Sequence, residues 1–252
     1  MERNVALLTA YFDESERDDG QTFVIAGCLF TQRQAKAFAA DMRQVFEEYG
    51  GCHMNRLIAG QPPYHELSPE LRAEMVHRSV DIMVDRVEQG VMVVANRKDL
   101  ENGPPCAFAL EKAYGICADT AVTMIEQWLD RQSRQYDEVE YLFADGYTRR
   151  GHVSEFRRYM EEYGQWFWRR QTGFGFEPHG PCSPFDASDI AAWEIGRFVQ
   201  DGEKSAGMRG SLRALFGSGK FHYTIETRAS LEAYQAALRE IQEERDRRAR
   251  AG

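Results

Sequence analysis

The sequence predicts one α/β domain with helical insertions, and three observations support this fold class. Apolar residues make up 43% of the 252 residues, which is enough for a sizeable core. Short apolar runs typical of buried strands alternate with longer segments whose apolar residues recur at helical spacing. No linker clearly divides the chain, so we predict a main domain over residues 1–225 and a C-terminal helix with a charged tail over residues 226–252.

The predicted strands cover residues 5–12, 22–30, 91–95, 139–144 and part of 167–176. Only a polar loop separates the first two strands, which predicts a hairpin. The predicted helices cover residues 32–49, 69 onward, 107–132, 153–163, 183–200 and 228 onward. Ser68 as a cap and Pro69 as the first helical residue mark the start of the second helix. Between the last two helices, residues 201–220 hold five Gly and are predicted to form a mobile loop.

Several features predict a cytoplasmic protein with no membrane partner. No apolar stretch reaches the ~20 residues that a bilayer-spanning helix needs. The N-terminus does not resemble a signal peptide, because its apolar run is short and ends in acids. The five cysteines are widely spaced and form no CxxC pair, which favours free thiols in a reducing compartment.

The charge distribution does not decide whether nucleic acid is a partner. The formal net charge of −9 is unfavourable for binding a polyanion. Residues 147–172, however, carry six Arg against three Glu. A local basic patch beside an acidic metal pocket would suit a polyanionic substrate.

The first predicted strand ends abruptly in Asp13-Glu14-Ser15. One interpretation is a turn, because Asp and Ser are common turn residues and a charged, solvated stretch follows. The other interpretation is a metal ligand at the tip of a core strand. Both remain open until the other acidic residues are placed.

A second apolar run, residues 141–144, also ends in an aspartate, Asp145. If the two strands are parallel neighbours, Asp13 and Asp145 emerge side by side, since adjacent strands lie ~4.8 Å apart. Ligands of open α/β sheets bind at the carboxyl ends of such strands. Two unpaired carboxylates would repel each other there, and a divalent cation would remove that repulsion.

The segment 184–194 adds two more carboxylates. Asp186 and Asp189 are three residues apart at a predicted helix start, so they share one face of the helix. Asp186 has another explanation, because acids in a first turn interact favourably with the helix dipole. Asp189 lies deeper, next to small residues that let a helix pack close to a sheet. The predicted metal ligands are Asp13, Asp145, Asp186 and Asp189.

Four motifs in this order resemble a known family. They are Asp13-Glu14-Ser15, Cys52-His53-Met54, Asp145 after its strand, and the segment 184–194. Over roughly residues 5–225 the chain resembles the domain-of-unknown-function family numbered 3800, a bacterial and phage family similar to the ribonuclease H superfamily. The resemblance implies a five-stranded mixed sheet in the order 3-2-1-4-5 with helices on both faces, and two-metal nuclease chemistry. The chain departs from the family pattern where Glu16 replaces a Gly and Asp186 replaces a Gln.

The resemblance also implies roles for individual acids. Asp13 takes the place of the strand 1 aspartate, Asp145 that of strand 4, and Asp189 that of the terminal helix. Glu111 fits the fourth acidic position, and Glu14 competes for that role. The implied cofactor is Mg²⁺ or Mn²⁺, because two such ions ~3.5–4 Å apart can clamp a phosphodiester of RNA or DNA. The predicted catalytic residues are Asp13, Glu14, Glu111, Asp145 and Asp189.

Further side chains are predicted to contact the substrate. His53 and His65 could shuttle protons or contact phosphates, although a single histidine is more often a surface residue. Arg169 and Arg170 follow aromatic residues at 166–168, a pattern suited to base stacking and phosphate contact. The alternative for this stretch is a buried Trp face with a solvated Arg end.

Two other functions are compatible with the sequence. A phosphatase of the haloacid-dehalogenase type also places an aspartate after its first strand, but it requires Asp-x-Asp, and Ser15 occupies the second position here. A non-catalytic binding or phage-defence module on a ribonuclease H-like scaffold would suit the acidic surface. The three functions differ in whether the carboxylates hold metal, accept a phosphoryl group or do neither.

Overall fold

The structure is a computed structural model. It describes residues 6–16, 22–96, 113–134, 137–145, 170–201 and 208–227, together with scattered positions between 229 and 247. The predicted helix over 153–163 lies outside these residues, as do Glu111 and Arg169.

Six strands form one mixed sheet. They are β1 (Leu7–Glu16), β2 (Thr22–Thr31), β3 (Gln89–Asn96), β4 (Glu138–Ala144), β5 (Gln171–Glu177) and β6 (Phe221–Glu226). Their order across the sheet is β5-β4-β1-β2-β3-β6. The expected number of five strands is therefore wrong, because β6 adds to the edge beside β3. The strand β6 lies in a segment where the sequence pattern predicted no strand.

Six α-helices are described. They are α1 (Gln32–Phe46), α2 (Met54–Ala59), α3 (Pro69–Arg86), α4 (Ala113–Arg131), α5 (Phe185–Asp201) and α6 (Gly210–Gly217). A 3-10 turn, Glu47–Tyr49, extends α1. The predicted start of α3 is confirmed, since the Ser68 side chain accepts a hydrogen bond from the backbone N–H of Leu71 at 3.2 Å. The predicted loop over 201–220 is corrected at α6, where apolar residues at helical spacing pack on the core despite the flanking glycines.

The sheet combines an antiparallel hairpin with parallel neighbours. Strand β1 pairs antiparallel with β2, which confirms the predicted hairpin. Strand β1 also pairs parallel with β4, and β4 pairs parallel with β5. Gly27 lies opposite Phe12 in the hairpin, and a Cβ atom there would lie 2.3 Å from the Phe12 ring. Glycine at this position leaves room for Phe12 to stack on Phe143 of β4, with ring centroids 4.5 Å apart. The three strands are thereby joined by side-chain packing as well as by backbone hydrogen bonds.

Helices cover both faces of the sheet. Alternate residues of β2 point to opposite sides, so Val24 and Ala26 pack with α1, α3, α5 and α6, whereas Phe23 and Ile25 pack with α4. Helix α5 lies across β1 and β2. This position brings the first turn of α5 to the part of β1 that contains Asp13.

No helix within the described part of the chain is long and apolar enough to span a membrane.

Candidate carboxylate–histidine site

Asp13 lies within β1, neither in a turn nor at a strand tip. The hairpin continues beyond it, because Asp13 pairs in register with Ala26, Glu14 with Ile25 and Ser15 with Val24. The parallel pairing of β1 with β4, in contrast, has its last pair at Phe12 and Phe143. Asp13 therefore lies within a paired strand at the point where its parallel neighbour ends. The turn interpretation and the position at a strand tip are corrected, whereas the role of Asp13 as a metal ligand stays a prediction.

The first turn of α5 is fixed against β1. The Ser188 hydroxyl donates a hydrogen bond of 2.6 Å to the backbone carbonyl of Tyr11, and the rings of Tyr11 and Phe185 meet edge to face at 5.2 Å. Asp186 is 1% exposed, and Asp189 is half-buried. The backbone N–H of Met54, at the start of α2, points at Asp189 Oδ2 from 3.5 Å.

His179 joins the strand carboxylate to the helix carboxylate. Its Nδ1 lies 3.2 Å from Asp13 Oδ2, and its Nε2 lies 2.6 Å from Asp186 Oδ1. Burial by itself would lower the pKa of His179, but hydrogen bonds to Asp13 and Asp186 outweigh it and raise that pKa to about 10. His179 is therefore an imidazolium at neutral pH, with both ring nitrogens donating to carboxylates.

The remaining acids of the cluster have raised pKa values. Burial, and then the negative charge of Asp13, raise the pKa of Asp189 to about 7. The same two causes raise the pKa of Glu14 well above its ordinary value. Burial also raises the pKa of Asp186, although the bond from His179 opposes this shift. The cluster thus concentrates more negative charge than one imidazolium neutralises.

Two predicted histidines lie in different surroundings. His53 precedes α2, and its ring centroid lies 6.4 Å from that of His179. Partial burial, and then the charges of Arg56 and His179, lower the pKa of His53, which favours its neutral form. The side chain of His65 is 56% exposed and lies 3.9 Å from Glu66.

Asp145 and Arg170 make their described contacts outside the carboxylate cluster. Asp145 is an exposed turn residue whose backbone N–H donates to the carbonyl of Glu177. Arg170 is 7% exposed, and its guanidinium pairs with Glu126 and Asp130. The guanidinium of Arg170 is therefore paired within the protein, with the buried Glu126 and the exposed Asp130 of α4.

The carboxylates match a hard divalent cation in chemistry but are not arranged as a metal cage. Asp186 Oδ2 is buried and makes no hydrogen bond to a described residue. Carboxylate oxygens are the ligands that Mg²⁺ and Mn²⁺ prefer. No three His, Cys, Asp or Glu side chains among the described residues are grouped so that they could hold a metal ion. His179 instead lies between Asp13 and Asp186.

No protein-family model matches the chain, and a search of curated proteins found no match. Its function is therefore inferred from its own side chains.

The sequence interpretation missed His179, although a signal for it exists. His179 follows β5 by two residues, and β5 runs parallel to β4 and β1. Residues after neighbouring parallel strands emerge at the same edge of a sheet. The pattern that singled out Asp13 and Asp145 therefore also applied to His179.

Proposed function

We propose that the protein is a divalent-metal-dependent nuclease that hydrolyses phosphodiester bonds of RNA or DNA. The observation that carries the proposal is the meeting of Asp13 on β1 with Asp186 and Asp189 on α5. Acids that burial and mutual repulsion drive toward protonation gain most from a cation. A cation would also stabilise the buried Oδ2 of Asp186, which makes no hydrogen bond to a described residue.

Asp13, Asp186 and Asp189 would hold Mg²⁺ or Mn²⁺, with Glu14 nearby, once His179 no longer lies between Asp13 and Asp186 and the carboxylates draw closer together. Bound metal ions would supply an activated water and stabilise the charge on the leaving oxygen. Asp13 is fixed by the central strand, and its Oδ1 also accepts a hydrogen bond of 2.9 Å from the backbone N–H of Glu14. These contacts would keep the strand carboxylate in one orientation during substrate binding.

Two histidines would have different roles: His53 would transfer protons, and His179 would neutralise carboxylates. The lowered pKa of His53 keeps its exposed imidazole neutral near pH 7, so it can accept a proton from water or donate one after protonation. His179 would hold Asp13 and Asp186 in the absence of other cations and would have to give up one of these contacts to a metal ion.

The order of the first five strands supports a ribonuclease H-like relationship. Strands β3, β2, β1, β4 and β5 are consecutive in the sheet, and β6 extends its β3 edge. This arrangement, with the quoted motifs, supports membership of the family numbered 3800. The four free cysteines among the described residues support a reducing, cytoplasmic location.

The proposal is tested by cleavage assays on single- and double-stranded RNA and DNA with Mg²⁺ or Mn²⁺. The wild-type protein is expected to cut at least one substrate, and EDTA is expected to stop it. Asp13→Asn and Asp189→Asn are expected to lower the rate by at least about 100-fold, because each removes a charged ligand. Asp81→Asn, an exposed aspartate on α3, serves as the matched control and should cut at the wild-type rate.

Equal cleavage by the wild-type protein and the Asp13→Asn variant would overturn the proposal. The arrangement of His179 between Asp13 and Asp186 favours a second candidate, a non-catalytic binding or phage-defence module, because the imidazolium occupies the place that a metal ion would take. Tight binding with no cleavage under any metal condition, and no Mn²⁺ binding by calorimetry, would support that candidate instead.

A further inference from the structure

A cavity lies between the starts of α3 and α6, outside the carboxylate cluster, with a volume of about 300 Å³. Its apolar wall includes Ile58, Ala73 and Val76. Its polar side chains are Arg72, His77, Arg209 and Ser211. Ligand cavities begin at roughly this volume.

Arg209 is held in place by groups behind the cavity. Its guanidinium lies over the Trp193 ring, 4.6 Å from the centroid, and its Nε lies 3.8 Å from Glu194 Oε2. Glu194 is fully buried and accepts a hydrogen bond of 2.7 Å from the Ser211 hydroxyl. A buried carboxylate therefore anchors both Arg209 and the start of α6, and it does not itself line the cavity.

Arg72 also lines the cavity, and its side chain lies close to the end of α2. Gly60 ends α2 with a φ of +62°, and a Cβ atom built there would lie 1.7 Å from Arg72 Nη1. The guanidinium of Arg72 thus occupies space that only a glycine leaves open. Two arginines from two separate elements therefore line one cavity.

The charge of this cavity is opposite to that of the protein. The chain carries a net charge of −9, yet none of the described residues that line the cavity is an acid. Two arginines beside apolar side chains suit a phosphate group attached to an apolar body. A nucleotide unit has this chemistry, because its base is flat and weakly polar and its phosphate is charged.

Helix α2 connects this cavity to the carboxylate cluster. Met54, whose N–H points at Asp189, and Ile58, which lines the cavity, are one helical turn apart, or ~6 Å along the axis. On α5, Asp189 and Glu194 are five residues apart, or ~7.5 Å along the axis. A strand of nucleic acid could therefore reach both places within a few nucleotides, since the axial rise per nucleotide in a duplex is ~3.4 Å.

We propose that the cavity between α3 and α6 binds a backbone phosphate of a nucleic-acid strand through Arg72 and Arg209, next to the carboxylate cluster. The proposal deepens the nuclease assignment and rests on it for the role of the strand as substrate. Binding itself is tested without cleavage, in EDTA, by fluorescence anisotropy of short labelled RNA and DNA oligonucleotides over a range of salt concentrations.

Arg72→Gln is expected to weaken binding about tenfold and to reduce the slope of log K against log salt by about one, as the loss of one phosphate contact requires. Ala73→Phe fills the cavity without changing charge and is expected to weaken binding as well. Arg78→Gln, an exposed arginine on the same helix that does not line the cavity, is the matched control and should bind within about twofold of wild type. Thermal melting of each variant checks that the fold is retained.

The outcomes separate the two proposals. If the wild-type protein binds oligonucleotides and Arg72→Gln weakens binding, but nothing is cut, the cavity assignment holds and the nuclease assignment fails. If the wild-type protein cuts and Arg72→Gln changes neither Kd nor KM, the cavity assignment fails alone. An equal loss in Arg78→Gln, or no oligonucleotide binding by the wild-type protein, would also overturn the cavity assignment.

Discussion

His179 bridges Asp13 and Asp186, with its two ring nitrogens 3.2 Å and 2.6 Å from a carboxylate oxygen of each residue. The first acid belongs to the central strand and the second to the helix packed across it. One imidazolium therefore holds together the two elements that form the candidate site, and both the stability and the metal response of the protein should depend on it.

His179→Gln is expected to lower the free energy of unfolding at pH 7 by about 2–4 kcal/mol, because it leaves the buried Asp186 and the largely buried Asp13 without their cation. The folded-state pKa of about 10 exceeds the ordinary value of 6.5. The contribution of His179 is therefore fully present below pH 6.5 and is lost as the pH rises toward 10. Urea unfolding at several pH values should show the gap between wild type and variant narrowing over this range. His65→Gln, at an exposed histidine, should show no such gap.

Asp189→Asn is expected to stabilise the metal-free protein at pH 8. The pKa of Asp189 is raised from 3.8 to about 7, so its contribution to stability is present below pH 3.8 and is lost as the pH rises through 7. The neutral amide removes the ionised form that the fold disfavours, with a gain of roughly 2 kcal/mol. Denaturation in EDTA at pH 8 measures the gain. A less stable Asp189→Asn variant would contradict the assigned direction.

Replacing His179 is also expected to strengthen Mn²⁺ binding. The imidazolium competes with a metal ion for Asp13 and Asp186, so His179→Gln should bind Mn²⁺ about tenfold more tightly near pH 7. Isothermal titration calorimetry of both proteins measures the change. Weaker binding by the variant would mean that His179 is itself a ligand.

Arg170→Met is expected to lower the free energy of unfolding by about 3–5 kcal/mol, because Glu126 would remain buried without its counter-charge. Adding Glu126→Gln to the same chain should restore part of the loss, since the neutral amide can still accept the hydrogen bond from Tyr141. Urea unfolding measures both variants. Arg131→Met, at an exposed position, is the control and should change stability by less than about 0.5 kcal/mol.

Comparing Gly60→Ala with Gly50→Ala should distinguish the effect of backbone strain on oligonucleotide binding from the effect of displacing Arg72. Gly50 and Gly60 both have positive φ angles, +75° and +62°, so alanine at either position is expected to cost about 1 kcal/mol. Only at Gly60 would the new methyl group displace the guanidinium of Arg72, because no atom lies within 4 Å of a Cβ at Gly50. Gly60→Ala should therefore weaken oligonucleotide binding, whereas Gly50→Ala should leave it unchanged. Equal binding by both variants would argue against a role for Arg72.

The sequence by itself determined most of the regular elements, though not β6 or α6, and part of the candidate site. The hairpin of β1 and β2 and the capped start of α3 follow from local signals, namely apolar periodicity and a serine–proline helix start. The parallel pairing of β1 with β4 entered only as a condition and as an implication of the family resemblance. The same signals placed an acid directly after the first predicted strand and two acids at the start of α5. They could not show how far the hairpin extends, because the pairing of Asp13 with Ala26 depends on the partner strand.

The tertiary structure alone decided which charged groups meet. Arg170 appeared suited to a substrate, yet it neutralises acids of α4, a helix about 40 residues earlier in the chain. His179 carried no periodic signal, because its role arises where the end of β5 meets β1 and α5. Burial and the distance between charges set the state of an ionisable group, and both are properties of packing between distant segments.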